Sequence, residues 1–214
     1  MKDTVIFDLD GTLLNTLDDL ADSVNAALRK NRLPERTTDE VRRFVGNGVL
    51  NLMRRAIPNG EDNPKFEQTY ADFRAYYAQH CTDKTAPYPG IMALLAELSA
   101  QGYKLAVVSN KFDAAVKKLN EQYFAGLIPV AIGEKETVRK KPAPDSVFAA
   151  MEELQSDAAH SIYVGDSDVD IETAKNAGIP CISVTWGFRD RAFLQEHGAR
   201  LYADAAEQIK AFLK

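Results

Sequence analysis

Short runs of consecutive apolar residues recur along this chain. Between them lie stretches in which apolar residues return every three or four positions. The first kind is what a strand buried on both faces requires, and the second is the stripe of an amphipathic helix. Val5–Phe7, Leu105–Val108, Ile128–Ile132, Ile162–Val164 and Ile182–Val184 read as strands. Ile91, Leu94, Leu95 and Leu98 recur at helical spacing and end at Gly102. Val116 with Leu119, then Val147, Phe148, Met151 and Leu154, predict two more helices. Ile171, Ala174 and Lys175 lead to Gly178, a helix stop. Strand alternating with helix predicts an α/β fold built on a parallel sheet covered on both faces.

One stretch breaks the alternation. Between Leu13 and Pro87 no strand pattern stands out. Leu17, Leu20, Ala21, Val24 and Leu28 mark one amphipathic helix; Val41, Phe44 and Val45, then Val49, Leu52 and Met53, mark others; Phe66, Tyr70, Phe73 and Tyr77 mark another. The stretch is long enough, at roughly 65–70 residues, to be a small inserted domain. The expected division is therefore a core of residues 1–13 and 84–214 and a helical domain of residues 14–83. Pro87 and Pro89 mark the returning linker, in which His80 is expected to lie close by.

Composition narrows the function classes. The chain has 214 residues and a net charge of −5, which gives no electrostatic footprint for nucleic acid. No apolar stretch approaches a membrane span. Met-Lys-Asp-Thr runs straight into the first strand and leaves no room for a signal peptide. Cys81 and Cys181 show neither pairing nor metal spacing, so a reducing cytoplasm is the expected location. His80, His160 and His197 have no metal partner at sensible spacing. Oligomeric state is not indicated.

Ligands of open parallel sheets bind outside the carboxyl ends of the strands. After the first strand come Asp8 and Asp10, followed by Gly11. Two carboxylates so close cannot both ionise cheaply without a cation or a shared proton. After the strand ending at Val108 come Ser109, Asn110 and Lys111; after the third come Lys135, Arg139, Lys140 and Lys141; after the fourth come Asp166, Asp168 and Asp170. Carboxylates suit Mg2+, while a hydroxyl and a lysine suit the oxygens of a phosphoryl group. Taken singly these residues have plainer readings: Ser109 as a helix cap, the lysines as a solvated pair, the acids as a solvated turn. Asp168 is read that way, as a cap or an exposed residue.

Four segments, Asp8-Leu-Asp-Gly-Thr-Leu, Val108-Ser-Asn-Lys, Lys141-Pro-Ala-Pro-Asp and Gly165-Asp-Ser-Asp-Val-Asp-Ile, stand in this order along the chain. In them the chain resembles the haloacid dehalogenase superfamily phosphatases, in the phosphoglycolate phosphatase-like branch. The resemblance implies a Rossmann-like core with an all-helical cap domain inserted after the first strand. It implies Asp8 as the nucleophile that forms an aspartyl-phosphate, and Asp10 as the acid that protonates the leaving oxygen and then deprotonates water. It implies Mg2+ held by Asp8, the carbonyl of Asp10, and Asp166. Ser109, Asn110 and Lys141 would hold the phosphoryl group, and Asp170 would support Lys141 or metal-bound water. Asp10 beside a phosphate dianion is expected to have a raised pKa. The family often has Gly before the motif lysine, where this chain has Lys140; Lys141, preceding Pro142, is the expected phosphate ligand.

The partner implied is a small phosphate ester, phosphoglycolate among the candidates, with no nucleic acid and no membrane. A phosphomutase or a pyrophosphatase on the same core is the alternative. A non-catalytic binding domain would have no need of Asp8, Asp10, Ser109, Lys141 and Asp166 together, and the metal carboxylates argue against dehalogenation. Arg42, Arg43 and Asn47, around the segment Phe-Val-Gly-Asn-Gly, are the candidates for substrate selectivity, since an arginine suits a carboxylate. Arg54 and Arg55 are ambiguous. Trp186-Gly187-Phe188-Arg189 either lines the site or caps the core.

Overall fold

The computed structural model describes residues 2–135 and 138–213. The chain divides into two compact units, residues 1–14 with 87–214, and residues 15–86.

The first unit is built on a sheet of six parallel strands. They are β1 (Thr4–Phe7), β4 (Lys104–Phe112), β5 (Val130–Glu134), β6 (Ser161–Gly165), β7 (Cys181–Val184) and β8 (Leu201–Ala203), in the order β5-β4-β1-β6-β7-β8. Two short strands, β2 (Leu14–Asn15) and β3 (Ala86–Pro87), pair separately. Both edges of β1 are paired: Phe7 lies opposite Val107 of β4 and Val164 of β6.

Strand period 2 sends alternate residues to opposite faces, and the core divides accordingly. Val5, Phe7, Leu105, Val107, Ile162 and Val164 pack on one face with Leu94, Leu95 and Leu98 of α5 (Ile91–Ala100) and Val116 and Leu119 of α6 (Asp113–Phe124). Ile6, Ala106, Val108 and Tyr163 pack on the other with Val147, Ala150 and Met151 of α7 (Asp145–Glu153) and Ala174 of α8 (Asp168–Asn176). Each large aliphatic side chain buried there contributes about 1.5–3 kcal/mol of transfer free energy.

The structure departs from the sequence expectations in several places, the short strands β2 and β3 among them. β4 runs on through Ser109, Asn110 and Lys111, with an irregularity against β5 after Val108. β5 starts at Val130 rather than Ile128. A sixth strand, β8, a short helix α9 (Arg191–Glu196) and a closing 3-10 helix (Ala206–Phe212) lie beyond the last expected strand. His80 ends a helix instead of lying in a linker.

The second unit holds α1 (Leu17–Lys30), α2 (Thr38–Phe44), α3 (Val49–Ala56) and α4 (Phe66–His80), with a 3-10 turn (Gly60–Asp62) before α4. Helix α1 packs along α4. Leu20, Val24, Leu28, Val41, Leu52, Met53, Phe66, Phe73 and Tyr77 are its buried apolar residues. Thr37 and Glu40 cap α2 reciprocally, satisfying two backbone donors that would otherwise be orphaned. The buried carboxylate of Asp19, in the first turn of α1, accepts from the backbone amides of Lys84 and Thr85 and from the Thr85 hydroxyl at 2.7 Å. One side chain thus ties the segment leading out of the unit to its first helix.

Candidate active site

The end of β1 delivers Asp8 in a rigid place. Its amide donates to the carbonyl of Val164 on β6 at 2.9 Å, continuing the ladder one step past the strand. The chain then turns sharply. Leu9 is buried, and its carbonyl accepts from Leu13 and Leu14 at 3.0 Å. Gly11 takes φ 89°, a left-handed conformation that a side chain would strain. A Cβ there would also overlap the carboxylate of Asp166.

Lys141 is the hub. Its ammonium is buried and donates to Asp8 Oδ1 at 2.6 Å, to Asp170 Oδ1 at 2.8 Å and to the Tyr163 hydroxyl at 3.0 Å. Burial works against its charge, but Asp170 and Asp8 outweigh it and hold the lysine well above its usual range. The backbone of Lys141 is fixed as well. Asn110 Nδ2 donates to its carbonyl at 2.9 Å, and its amide donates to Asn110 Oδ1 at 2.8 Å.

Asp170 serves two masters. Its Oδ1 accepts from Lys141 and from Tyr163 at 3.1 Å, while Oδ2 accepts from the Ser167 hydroxyl at 2.6 Å and the Ser167 amide at 3.1 Å. The second pair is half of a capping box that starts α8. Asp168 occupies the first turn of the same helix and is half-exposed.

Asp166 is enclosed by backbone. The amide of Phe188 donates to Oδ2 at 2.7 Å and the Thr12 hydroxyl to Oδ1 at 3.3 Å. Gly187 leaves no room for a Cβ, which would overlap Asp166 and the carbonyl of Gly11. Trp186 Nε1 donates to the Thr12 carbonyl at 3.0 Å. The loop after β7 therefore touches Asp166 through Phe188 and Gly187 and packs on the core through Trp186, so it carries something of both sequence readings.

Carboxylate oxygens of Asp8, Asp166 and Asp170 lie within 4.8 Å of one another, and all three residues are buried. Burial, and then the neighbouring carboxylates against the opposing Lys141 charge, push Asp8 well above the usual carboxylate range. Burial and Asp170 push Asp166 up to about 7. The donor set is all oxygen and anionic, which fits a hard divalent cation such as Mg2+.

Asp10 turns the other way. Its Oδ1 accepts from the buried ammonium of Lys111 at 2.6 Å. Ser109 is buried next to them, and its Oγ accepts from the Lys111 amide at 3.2 Å. The structure thus gathers Asp8, Asp10, Ser109, Asn110, Lys141, Asp166 and Asp170 at one edge of the sheet. Arg42 and Arg43 lie exposed on α2, Arg42 pairing with Asp39 at 3.4 Å; Asn47 has φ 60° and its carbonyl accepts from Asn51. Lys111, Tyr163 and Thr12 were given no role in the sequence, and Phe188 was read only as part of the segment Trp186-Gly187-Phe188-Arg189. Lys111 carried a signal, because it lies two residues past Ser109 on an extended strand and so shares its face.

The chain is similar to known proteins along most of its length. A family model described as haloacid dehalogenase-like hydrolase matches residues 5–184. A phosphoglycolate phosphatase of Aquifex aeolicus (strain VF5) is 34% identical over 186 residues, covering 86% of this chain and 85% of the relative. One of Mesorhizobium japonicum is 34% identical over 195 residues, covering 87% and 84%. The crystal structure of a Lactobacillus delbrueckii subsp. bulgaricus protein, provisionally assigned as a phosphoglycolate phosphatase, superposes with a TM-score of 0.94 at 36% identity, covering 100% of this chain and 99% of that one.

Proposed function

The chain belongs to the haloacid dehalogenase-like hydrolases, and from that premise we propose that it hydrolyses a small phosphate monoester, phosphoglycolate first among the candidates, through an aspartyl-phosphate on Asp8. The observation that carries this reading is that Asp8 and Asp166 follow β1 and β6, that Lys141, from the segment after β5, bonds Asp8, and that Ser109 lies in the last part of β4.

An oxygen of Asp8 attacks phosphorus as the ester P–O bond breaks. Asp10 gives its proton to the departing alkoxide and, once the alcohol has left, takes one from the water that cleaves the acyl phosphate. Asp10 is bonded to Lys111 and not to Asp8, so it is not consumed in the covalent step. Lys141, already 2.6 Å from Asp8, offsets the repulsion between that carboxylate and an anionic phosphate, and the Ser109 hydroxyl offers a further donor. Asn110, Tyr163 and Asp170 hold Lys141 in place. Asp8, Asp166 and the backbone carbonyl of Asp10 would hold Mg2+, which supplies positive charge against the phosphoryl oxygens.

The helical unit of residues 15–86 is, in this reading, the family's cap insert, and Arg42, Arg43 and Asn47 contribute to substrate choice. The test is a panel of phosphorylated metabolites assayed with the purified protein. Hydrolysis that EDTA abolishes and Mg2+ restores is the expected result. Hydrolysis of no ester under any divalent cation overturns the proposal.

A further inference from the structure

Lys111 and Lys141 are the two buried lysines among the described residues. Lys141 is committed to Asp8, Asp170 and Tyr163. Lys111 is 3% exposed, and burying an ammonium this completely is costly unless something negative faces it. Asp10 does so at 2.6 Å, across 101 residues of sequence.

The location matters more than the pair. In the reaction proposed above, Asp10 hydrogen-bonds the leaving oxygen with one side of its carboxyl group and Lys111 with the other. That places Lys111 Nζ within roughly 5–7 Å of the leaving oxygen, two hydrogen bonds and a carboxyl away. An anionic group two bonds from the ester oxygen enters the same neighbourhood as that ammonium. Such a group would otherwise enter a site already crowded with Asp8, Asp10, Asp166 and Asp170, where an uncompensated negative charge is strongly disfavoured.

We infer that Lys111 is a selectivity determinant of the core itself: its ammonium favours phosphate esters whose leaving alcohol carries a carboxylate beside the ester oxygen. The inference rests on the phosphatase reading. The lysine is built into β4, and its own amide bonds the Ser109 hydroxyl. Recognition of the leaving group is thereby linked rigidly to one of the groups that face the phosphoryl oxygens.

The test compares two esters of similar size, 2-phosphoglycolate and 2-hydroxyethyl phosphate, in the wild type, Lys111→Met and Lys111→Arg. Removing Lys111 disturbs Asp10 too and slows both esters, so the readout is the ratio of their kcat/KM values. That ratio is expected to fall about 10- to 100-fold in Lys111→Met, chiefly through KM for phosphoglycolate, with most of it retained in Lys111→Arg. An unchanged ratio in an active Lys111→Met enzyme overturns the inference and leaves Lys111 as a support for Asp10 alone. If Lys111→Met does not fold, Lys111→Gln takes its place: the same fall in the ratio is expected, and an unchanged ratio in an active Lys111→Gln enzyme overturns the inference. Failure of the underlying phosphatase reading would look different: the wild type itself would hydrolyse neither ester.

Discussion

Lys141 holds the carboxylate of Asp8 by a 2.6 Å hydrogen bond, although 133 residues separate them. Asp8 is therefore positioned by two sheet-end loops at once, with a buried ammonium in place beside its carboxyl group. Replacing it tests chemistry more than folding. Asp8→Asn keeps the shape and leaves Lys141 with Asp170 and Tyr163. Turnover should fall by about 10⁴-fold or more, as when a nucleophile is lost elsewhere, with stability changed by no more than about 2 kcal/mol. Steady-state assay and thermal melting check this. Near-normal turnover would remove Asp8 from its role.

Asp166 gives a pH dependence whose sign can be worked out. Its carboxyl rises from an ordinary 3.8 to about 7 in the folded, metal-free protein. Folding then binds a proton between those values. The stability this contributes is fully present below pH 3.8 and is lost as pH rises through about 7. A cation must displace the same proton, so Mg2+ binding should strengthen by up to about tenfold per pH unit below 7 and level off above it. The shift in Tm on adding Mg2+ should be larger near pH 8 than near pH 6, and Asp166→Asn should flatten the difference. A Mg2+ shift indifferent to pH would contradict the role given to this carboxylate.

Gly187, like Gly11 and Gly165, has no room for a side chain. A methyl group there meets Asp166 and the Gly11 carbonyl, both held by backbone. Gly187→Ala should cost about 1–3 kcal/mol and weaken Mg2+ dependence along with it. Chemical denaturation with and without Mg2+ reads both effects. A variant as stable as the wild type would mean that the loop after β7 yields readily.

In the helical unit, Asp19 satisfies two backbone amides and one hydroxyl with a single buried carboxylate. Asp19→Ala orphans all three and should cost about 2–4 kcal/mol, whereas Thr85→Val, which removes one bond, should cost about 1–2 kcal/mol. Denaturation midpoints of the two variants rank them. Equal costs would show that the amides find other partners.

The sheet was readable from sequence because β1, β4 and β6 are continuous apolar runs buried on both faces. The site's carboxylates were readable because they stop those runs. β8 was not, since Leu201–Ala203 is three residues long and follows no comparable run. Tyr163 reads as an ordinary strand aromatic; only the fold brings its hydroxyl to Lys141. Phe188 and Thr12 touch Asp166 through a backbone amide and a lone hydroxyl, groups that almost every residue or many loops possess. Lys111 lay in plain view beside Ser109, but its significance depends on β4 staying extended past Val108.

β1 is flanked by partners on both edges and carries Asp8 at its end. Its amides should exchange with solvent at the slowest rates in the core, opening only when the whole domain opens. Asp8 thereby shares the fate of the most protected segment. As denaturant is raised, the capacity to form the covalent intermediate should persist until the sheet itself gives way. Residual turnover in a partly denatured sample would then count surviving native molecules, not loosened ones.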